Sequence, residues 1–132
     1  MAKLQDFIKK YQGKFASYPT GLYRGQCVSL VKRWLEFNDW PMRKGNAIDW
    51  VKNGDGKVYK YIPNQIWTVP KPGDLAIFSV GKYGHIGIVV SANLMSMQVF
   101  NQNWPHGNTT DPAVISTFNY RNPKCVGFLR KT

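Results

Sequence analysis

Cys27 and His85 are the two side chains of this sequence whose chemistry and positions fit nucleophilic catalysis. Cys27 begins an amphipathic segment. The N–H groups and macrodipole of a helix start favour an anion, so we expect the thiol to be biased toward thiolate. His85 opens an apolar run, and the next residue on its side of a strand is Gly87, which leaves room beside the imidazole. Singly, a small core cysteine and a solvated histidine are the alternatives. Together, a thiol at a helix start and an imidazole at a strand start can form an activated nucleophile.

Amide side chains accompany both groups. Gln26 precedes the thiol, where a side-chain amide can contribute to an oxyanion hole. Alternation along the predicted strand from Met97 puts Asn101 and Asn103 on one face. Either amide oxygen would accept the proton of one imidazole nitrogen and leave the other nitrogen facing the thiol. The choice between Asn101 and Asn103 stays open at this stage, and Asn103 is also typical of a turn.

The sequence has few of the residues that other hydrolytic mechanisms require. The chain has 7 Asp and Glu residues, and Glu36 is its one glutamate, so no carboxylate pair suggests a glycosidase. Two cysteines make neither a disulfide framework nor a four-ligand zinc site, and two histidines form no metal-binding motif. We therefore expect no metal and no cofactor. A disulfide between Cys27 and Cys125 is the alternative that would silence the thiol.

The elements that would position these groups change character along the chain. Helical periodicity covers Leu4–Tyr11 and Gln26–Asn38, with a less regular helical segment at Asn46–Lys52. The remainder is typical of strands, at Lys57–Ile62, Leu75–Phe78, His85–Val90, Met97–Asn101 and Cys125–Leu129. Helices followed by strands predict an α+β fold with an antiparallel sheet.

Size and charge narrow the class of protein further. The 132 residues fit one domain, 1–132, and the composition, 43% hydrophobic, is that of a globular protein. No apolar run reaches the length of a membrane span, and the N-terminus resembles no signal peptide. A net charge of +11 indicates a polyanionic partner, such as nucleic acid, an anionic membrane or a bacterial wall with its teichoic acids.

Four short motifs, in this order and spacing, resemble the CHAP family of cysteine, histidine-dependent amidohydrolases and peptidases, as found in phage endolysins and tail lysins. The resemblance extends from about Leu4 to Leu129. The motifs are Gly25-Gln26-Cys27-Val28-Ser29-Leu30, Pro72-Gly73-Asp74-Leu75, Gly84-His85-Ile86-Gly87-Ile88-Val89 and Asn101-Gln102-Asn103-Trp104.

The resemblance implies a papain-like α+β fold, with N-terminal helices packed on a C-terminal antiparallel sheet, that cleaves peptidoglycan amide bonds through an acyl-thioester. Cys27 resembles the nucleophile and His85 the general base, while Gln26 and the Cys27 N–H resemble the oxyanion hole. Asn101 and Asn103 fall in the motif that carries the histidine partner. Both an endopeptidase and an N-acetylmuramoyl-L-alanine amidase fit. Aromatic residues expected to line a substrate groove are Trp104, Tyr83 and Tyr23.

Two positions depart from the family pattern. Asn101 is neutral where many relatives have glutamate, and an amide stabilises an imidazolium less than a carboxylate does. Many phage members also carry a calcium loop before the Gln-Cys pair. Here Tyr18–Tyr23 supplies no carboxylate, and Ser29 replaces an aspartate, so we expect no hard-cation site.

The expected partners are peptidoglycan and teichoic acids, bound by a monomer, with no nucleic-acid or membrane partner. The expected location is the host cytoplasm until lysis releases the protein to the wall, or the virion. Two other functions compete with this one: a catalytically silent CHAP-like wall-binding module and a basic nucleic-acid-binding domain, although no nucleic-acid motif is visible.

Overall fold

The computed structural model of the protein describes residues 2–53, 57–106 and 109–132. Two α-helices and a 3₁₀ helix come first, and six strands follow. Their bounds are α1 Ala2–Tyr11, α2 Cys27–Phe37, the 3₁₀ helix Ala47–Asn53, β1 Tyr59–Pro63, β2 Leu75–Ser79, β3 His85–Ala92, β4 Met97–Asn101, β5 Val114–Phe118 and β6 Lys124–Lys131. None of the helices in the described ranges has the length and apolar character that a membrane crossing requires.

The six strands form one sheet in the order β1-β6-β2-β3-β4-β5, and every neighbouring pair is antiparallel. The α+β class, with helices preceding an antiparallel sheet, is confirmed. All five predicted strands are present, with ends shifted by at most a few residues. Strand β5 was not predicted and adds an edge strand beside β4.

Each face of the sheet buries its own apolar cluster, because side chains alternate along a strand. On β2, Leu75 and Ile77 belong to the cluster beneath the helices, whereas Ala76 and Phe78 belong to the second cluster. Phe7 of α1 joins the helices to the sheet, with ring centroids 5.2 Å from Trp34 and 6.0 Å from Phe100. The helix start that carries Cys27 is thus fixed against the sheet that carries His85.

The Pro72-Gly73-Asp74-Leu75 motif has a structural explanation. Asp74 is buried, and its carboxylate accepts hydrogen bonds from Arg130 Nη2 at 2.8 Å and Nε at 3.0 Å. It also accepts the Lys71 N–H at 2.8 Å. Asp74 therefore ties the start of β2 to β6, at a distance from the residues with catalytic chemistry.

Candidate active site

An open groove of about 690 Å³ lies where the start of α2 meets the start of β3. It brings together seven of the eight residues that the sequence predicts for the site; the eighth, Asn101, lies behind His85. The seven are Tyr23, Gln26, Cys27, Tyr83, His85, Asn103 and Trp104.

Cys27 is the first residue of α2, and Gln26 is its N-cap, with extended backbone and no side-chain capping bond. The Gln26 side chain is exposed in the groove. Cys27 is 8% exposed and Cys125 is 2% exposed, and both are free cysteines, so the disulfide alternative is wrong.

Burial opposes the bias toward thiolate that the helix start predicts for Cys27. Burial raises the pKa of the Cys27 thiol, and this effect exceeds the opposing hydrogen bonds from the backbone of Ile86, Val28 and Cys27 itself. The helix start does supply N–H groups to the sulfur, but β3 covers it from water. The Ile86 hydrogen bond also puts the sulfur beside the residue that follows His85.

His85 is the first residue of β3 and is 3% exposed. Its ring lies against Trp104, with centroids 5.0 Å apart, and also near Phe78 and Phe118. Burial lowers the pKa of His85 to about 4, although the hydrogen bond with Asn101 opposes this shift. The imidazole is therefore neutral at neutral pH, and one of its nitrogens has a free lone pair.

Asn101 determines which nitrogen that is. Its Oδ1 lies 2.8 Å from His85 Nε2, and its Nδ2 lies 3.1 Å from the Val99 and Val114 carbonyl oxygens. Carbonyl oxygens only accept hydrogen bonds, so the amide nitrogen must face them and Oδ1 must face the imidazole. Oδ1 in turn accepts the Nε2 proton. The neutral ring then leaves Nδ1 unprotonated.

Gly87 gives Asn101 the space to reach the imidazole. A Cβ added at Gly87 would overlap Val99 Cγ1 and lie 3.0 Å from the Asn101 Cβ. The sequence predicted that glycine leaves room on this face. The structure shows that the room is used by β4.

Asn103 lines the groove. In the described part of the chain it makes no hydrogen bond to the imidazole. Its Oδ1 accepts the Thr109 N–H at 2.7 Å, and its own N–H donates to the Asp111 carbonyl at 3.0 Å. Of the two asparagines left open by the sequence, Asn101 is the one hydrogen-bonded to His85. Asn103 instead organises the segment that follows β4.

The three predicted groove aromatics differ in exposure. Tyr23 and Tyr83 are 60% and 54% exposed, so both rings are accessible in the groove. Trp104 is half-buried and packs on His85. Lys82 Nζ lies 5.4 Å from the Tyr83 ring centroid, at the same rim.

Gln102 is a site residue that sequence reasoning missed. Its side chain is fully buried, and its Nε2 donates to the Gln26 carbonyl at 2.6 Å. The signal available was its place beside Asn101, since the next residue of a strand points to the opposite face. Ser29 adds a second link, because its hydroxyl donates to the Tyr23 carbonyl at 2.7 Å.

Arg33 holds the segment that precedes Gln26 and Cys27, where the sequence predicts no hard-cation site. Its Nε donates to the Ser17 carbonyl at 2.7 Å, Nη2 donates to Thr20 Oγ1 at 3.1 Å, and Nη1 pairs with Glu36 at 2.8 Å. Over the described ranges, no three His, Cys, Asp or Glu side chains lie close enough to hold a metal.

Comparison with known proteins supplies the family. The CHAP domain model matches residues 17–103, a range that includes Cys27, His85 and Asn101. The chain belongs to the CHAP domain family. This CHAP domain is 39% identical over 90 residues to Endolysin LysK of Staphylococcus phage K, covering 64% of the chain and 18% of LysK. It is 36% identical over 115 residues to Endolysin PlyTW of Staphylococcus phage Twort, covering 76% and 24%. The chain thus spans no more than about a quarter of either relative.

Solved structures agree with this assignment. The wild-type endolysin LysIME-EF1 superposes with a TM-score of 0.78 at 27% identity, covering 99% of this CHAP domain and 65% of that chain. Ly7917 superposes with a TM-score of 0.67 over 98% of the domain and 61% of that chain; its 12% identity supports the fold alone. The papain-like fold expected from the motifs is confirmed.

Proposed function

We propose that this CHAP domain is a peptidoglycan hydrolase that cleaves amide bonds with Cys27 as nucleophile. The observation that carries the proposal is the neutral imidazole of His85. Asn101 holds it with Nδ1 unprotonated, and it lines the same groove as the thiol. The family and the endolysin names of its relatives support a wall substrate.

In the first half of the reaction, His85 Nδ1 takes the thiol proton as Cys27 Sγ attacks the amide carbon. Both groups start neutral, since burial raises the pKa of the thiol and lowers that of the imidazole to about 4. Proton transfer therefore accompanies attack, as general base catalysis requires. The imidazolium then gives this proton to the leaving amine, and the substrate acyl group remains on sulfur as a thioester.

In the second half, water hydrolyses the thioester. His85 Nδ1 removes a proton from the water as its oxygen attacks, and the proton returns to sulfur when the carboxylic acid departs. The backbone N–H of Cys27 and the Gln26 amide stabilise the oxyanion in both halves. Asn101 stabilises the imidazolium through its amide oxygen, without a full negative charge.

Charge supports a wall partner. The chain carries 18 Lys and Arg residues against 7 Asp and Glu, and this excess attracts peptidoglycan that carries anionic teichoic acids. We propose that residues 1–132 form one catalytic domain that acts as a monomer. It acts on the wall after release from the host cytoplasm by lysis, or from a virion.

The test is product analysis of digested peptidoglycan. The wild-type chain, Cys27→Ser and Cys125→Ser are incubated with purified walls, and turbidity and mass spectra are recorded. Cys125 is a matched control, because it is also a buried free thiol but lies outside the groove. We expect Cys27→Ser to abolish clearing and Cys125→Ser to retain it.

The products identify the bond. A new amine on a peptide stem or cross-bridge indicates an endopeptidase, whereas a peptide-free muramic acid end indicates an N-acetylmuramoyl-L-alanine amidase. Adsorption to walls without products, equal in wild type and Cys27→Ser, would instead establish the silent wall-binding module and overturn the proposal.

A further inference from the structure

Through its side chain, Gln102 links the segment after β4 to the backbone of Ala16 and Gln26. It follows Asn101 at the end of β4 and lies on the opposite face of the strand, toward α2. Its side chain is fully buried, so it cannot touch a substrate in the groove. Within the described part of the chain, its side-chain hydrogen bonds go to backbone groups of Ala16 and Gln26.

The orientation of the Gln102 amide is determined by these partners. Its Oε1 accepts the Ala16 N–H at 2.9 Å, and its Nε2 donates to the Ala16 carbonyl at 3.1 Å and the Gln26 carbonyl at 2.6 Å. An N–H can only donate and a carbonyl can only accept, so the reverse orientation would leave buried groups opposed. The Gln26 carbonyl, which also accepts the Ser29 N–H at 3.0 Å, is therefore held pointing toward the protein interior.

The N–H of Cys27 belongs to the same planar peptide group as this carbonyl and lies at its opposite edge. In a trans peptide the N–H points opposite to the carbonyl, so a carbonyl held inward aims the N–H outward. As the first residue of α2, Cys27 has no intrahelical acceptor for this N–H. The N–H instead lies near its own thiol, with which it hydrogen-bonds.

We propose that Gln102 is a positioning residue that aims the Cys27 N–H at the developing oxyanion. This inference rests on the proposed hydrolase function. Asn101, the last residue of β4, and Gln102, which follows it, then have paired roles on opposite sides of the chain. Asn101 orients the base, and Gln102 orients the oxyanion donor.

The experiment compares Gln102→Met with Gln98→Met, both in a Cys125→Ser background. Methionine keeps the length of glutamine and removes the amide. Gln98 lies on β4, is exposed, accepts a hydrogen bond from Ser91 and does not line the groove. Each variant is measured for kcat and KM on purified peptidoglycan and for the alkylation rate of Cys27 by iodoacetamide.

We expect Gln102→Met to lower kcat by about tenfold to a hundredfold with KM changed less than about twofold, because loss of a single oxyanion donor costs about a hundredfold or more. Alkylation forms no oxyanion, so its rate should stay within about twofold of the background. Gln98→Met should match the background in both assays. A merely structural role would change alkylation together with kcat.

Three outcomes overturn the proposal. In the first, Gln102→Met retains the kcat of the background. In the second, kcat and alkylation fall in parallel. In the third, the background itself releases no products from peptidoglycan, and the hydrolase function fails too.

If Gln102→Met does not fold, Gln102→Asn decides the matter. Its amide is one methylene shorter and cannot span both Ala16 and Gln26, so we expect a smaller loss of kcat, again with unchanged alkylation. Full activity in Gln102→Asn would contradict the inference.

Discussion

His85 Nε2 lies 2.8 Å from Asn101 Oδ1, and both side chains are almost completely buried. The amide cannot flip, because Val99 and Val114 present carbonyl oxygens to its nitrogen. The carbonyls of Val99 and Val114 thus determine the imidazole tautomer, because they fix the orientation of the Asn101 amide. A neutral amide suffices for this purpose because a histidine with a pKa near 4 needs orientation more than charge compensation in its resting state.

The first prediction separates the base from its partner. We expect His85→Ala to lower kcat/KM by about a thousandfold or more and Asn101→Ala by about tenfold to a hundredfold, because an imidazole without its partner still samples the productive tautomer. Rates on purified peptidoglycan provide the measurement.

The control for this prediction is Asn103→Ala. The Asn103 amide oxygen accepts the Thr109 N–H, so Asn103 cannot replace Asn101. The fold-loss of kcat/KM in the double variant should therefore equal the product of the fold-losses in the two single variants. Equal losses in His85→Ala and Asn101→Ala would assign Asn101 a chemical role beyond orientation.

The second prediction concerns stability in acid. The pKa of His85 is lowered from 6.5 to about 4 in the native state, so between these values the unfolded chain binds a proton that the native chain does not. Stability is complete above about pH 6.5 and falls as pH decreases toward 4. The loss approaches about 3 kcal/mol, since each pKa unit corresponds to about 1.4 kcal/mol. Urea titrations across this range measure it.

His85→Gln and His106→Gln form a matched pair for this measurement. His106 is exposed and hydrogen-bonded to Asp111, so its replacement should leave the acid loss largely intact. His85→Gln should reduce the loss. The same pH slope in wild type and His85→Gln would place the imidazole in contact with water.

The sequence predicted more of the fold than of the site's electrostatics. Helix α2 was expected over Gln26–Asn38, because a wide apolar stripe identifies a helix. It extends over Cys27–Phe37, and Gln26 and Asn38 are its caps. Strand β5 escaped prediction because it is an edge strand in which Ile115 is 38% exposed, so it lacks a continuous buried face.

The burial of Cys27 and the contacts of Gln102 depend on strands that are distant in sequence. Residue 102 reaches residue 26 across 76 positions, and no local pattern records such a contact. The structure brings the thiol and the imidazole into one groove, and only the packing of β3 over α2 reveals that burial raises the pKa of the thiol.

The third prediction tests the raised pKa of the Cys27 thiol. Because the pKa of Cys27 is raised, the alkylation rate by iodoacetamide in a Cys125→Ser background should be low at neutral pH and increase up to pH 9 without a plateau. The rate follows the thiolate fraction, which keeps increasing with pH because the pKa is raised. A plateau below about pH 7 would show a thiolate–imidazolium pair and restore the expectation from the helix start.

The fourth prediction concerns salt and divalent cations. Attraction between a chain of net charge +11 and an anionic wall is screened over about 8 Å at physiological ionic strength, so clearing should slow as salt is added. EDTA should leave clearing unchanged, because Arg33 supplies the cation that holds Ser17 and Thr20. Turbidity assays with salt and EDTA series measure both effects.

Arg33→Met and Lys32→Met distinguish loop support from bulk charge. Each removes one positive charge, so both should weaken attraction to the wall equally. Lys32 contacts the Tyr18 ring at 5.9 Å, whereas Arg33 makes charged hydrogen bonds to the loop. Only Arg33→Met should lower the free energy of unfolding, by about 2 kcal/mol.

Added calcium should not restore the stability of Arg33→Met, since the loop offers no carboxylate to bind the ion. Loss of clearing in EDTA that calcium reverses, or a calcium-dependent increase in the melting temperature of Arg33→Met, would show that a cation site and not Arg33 holds the loop.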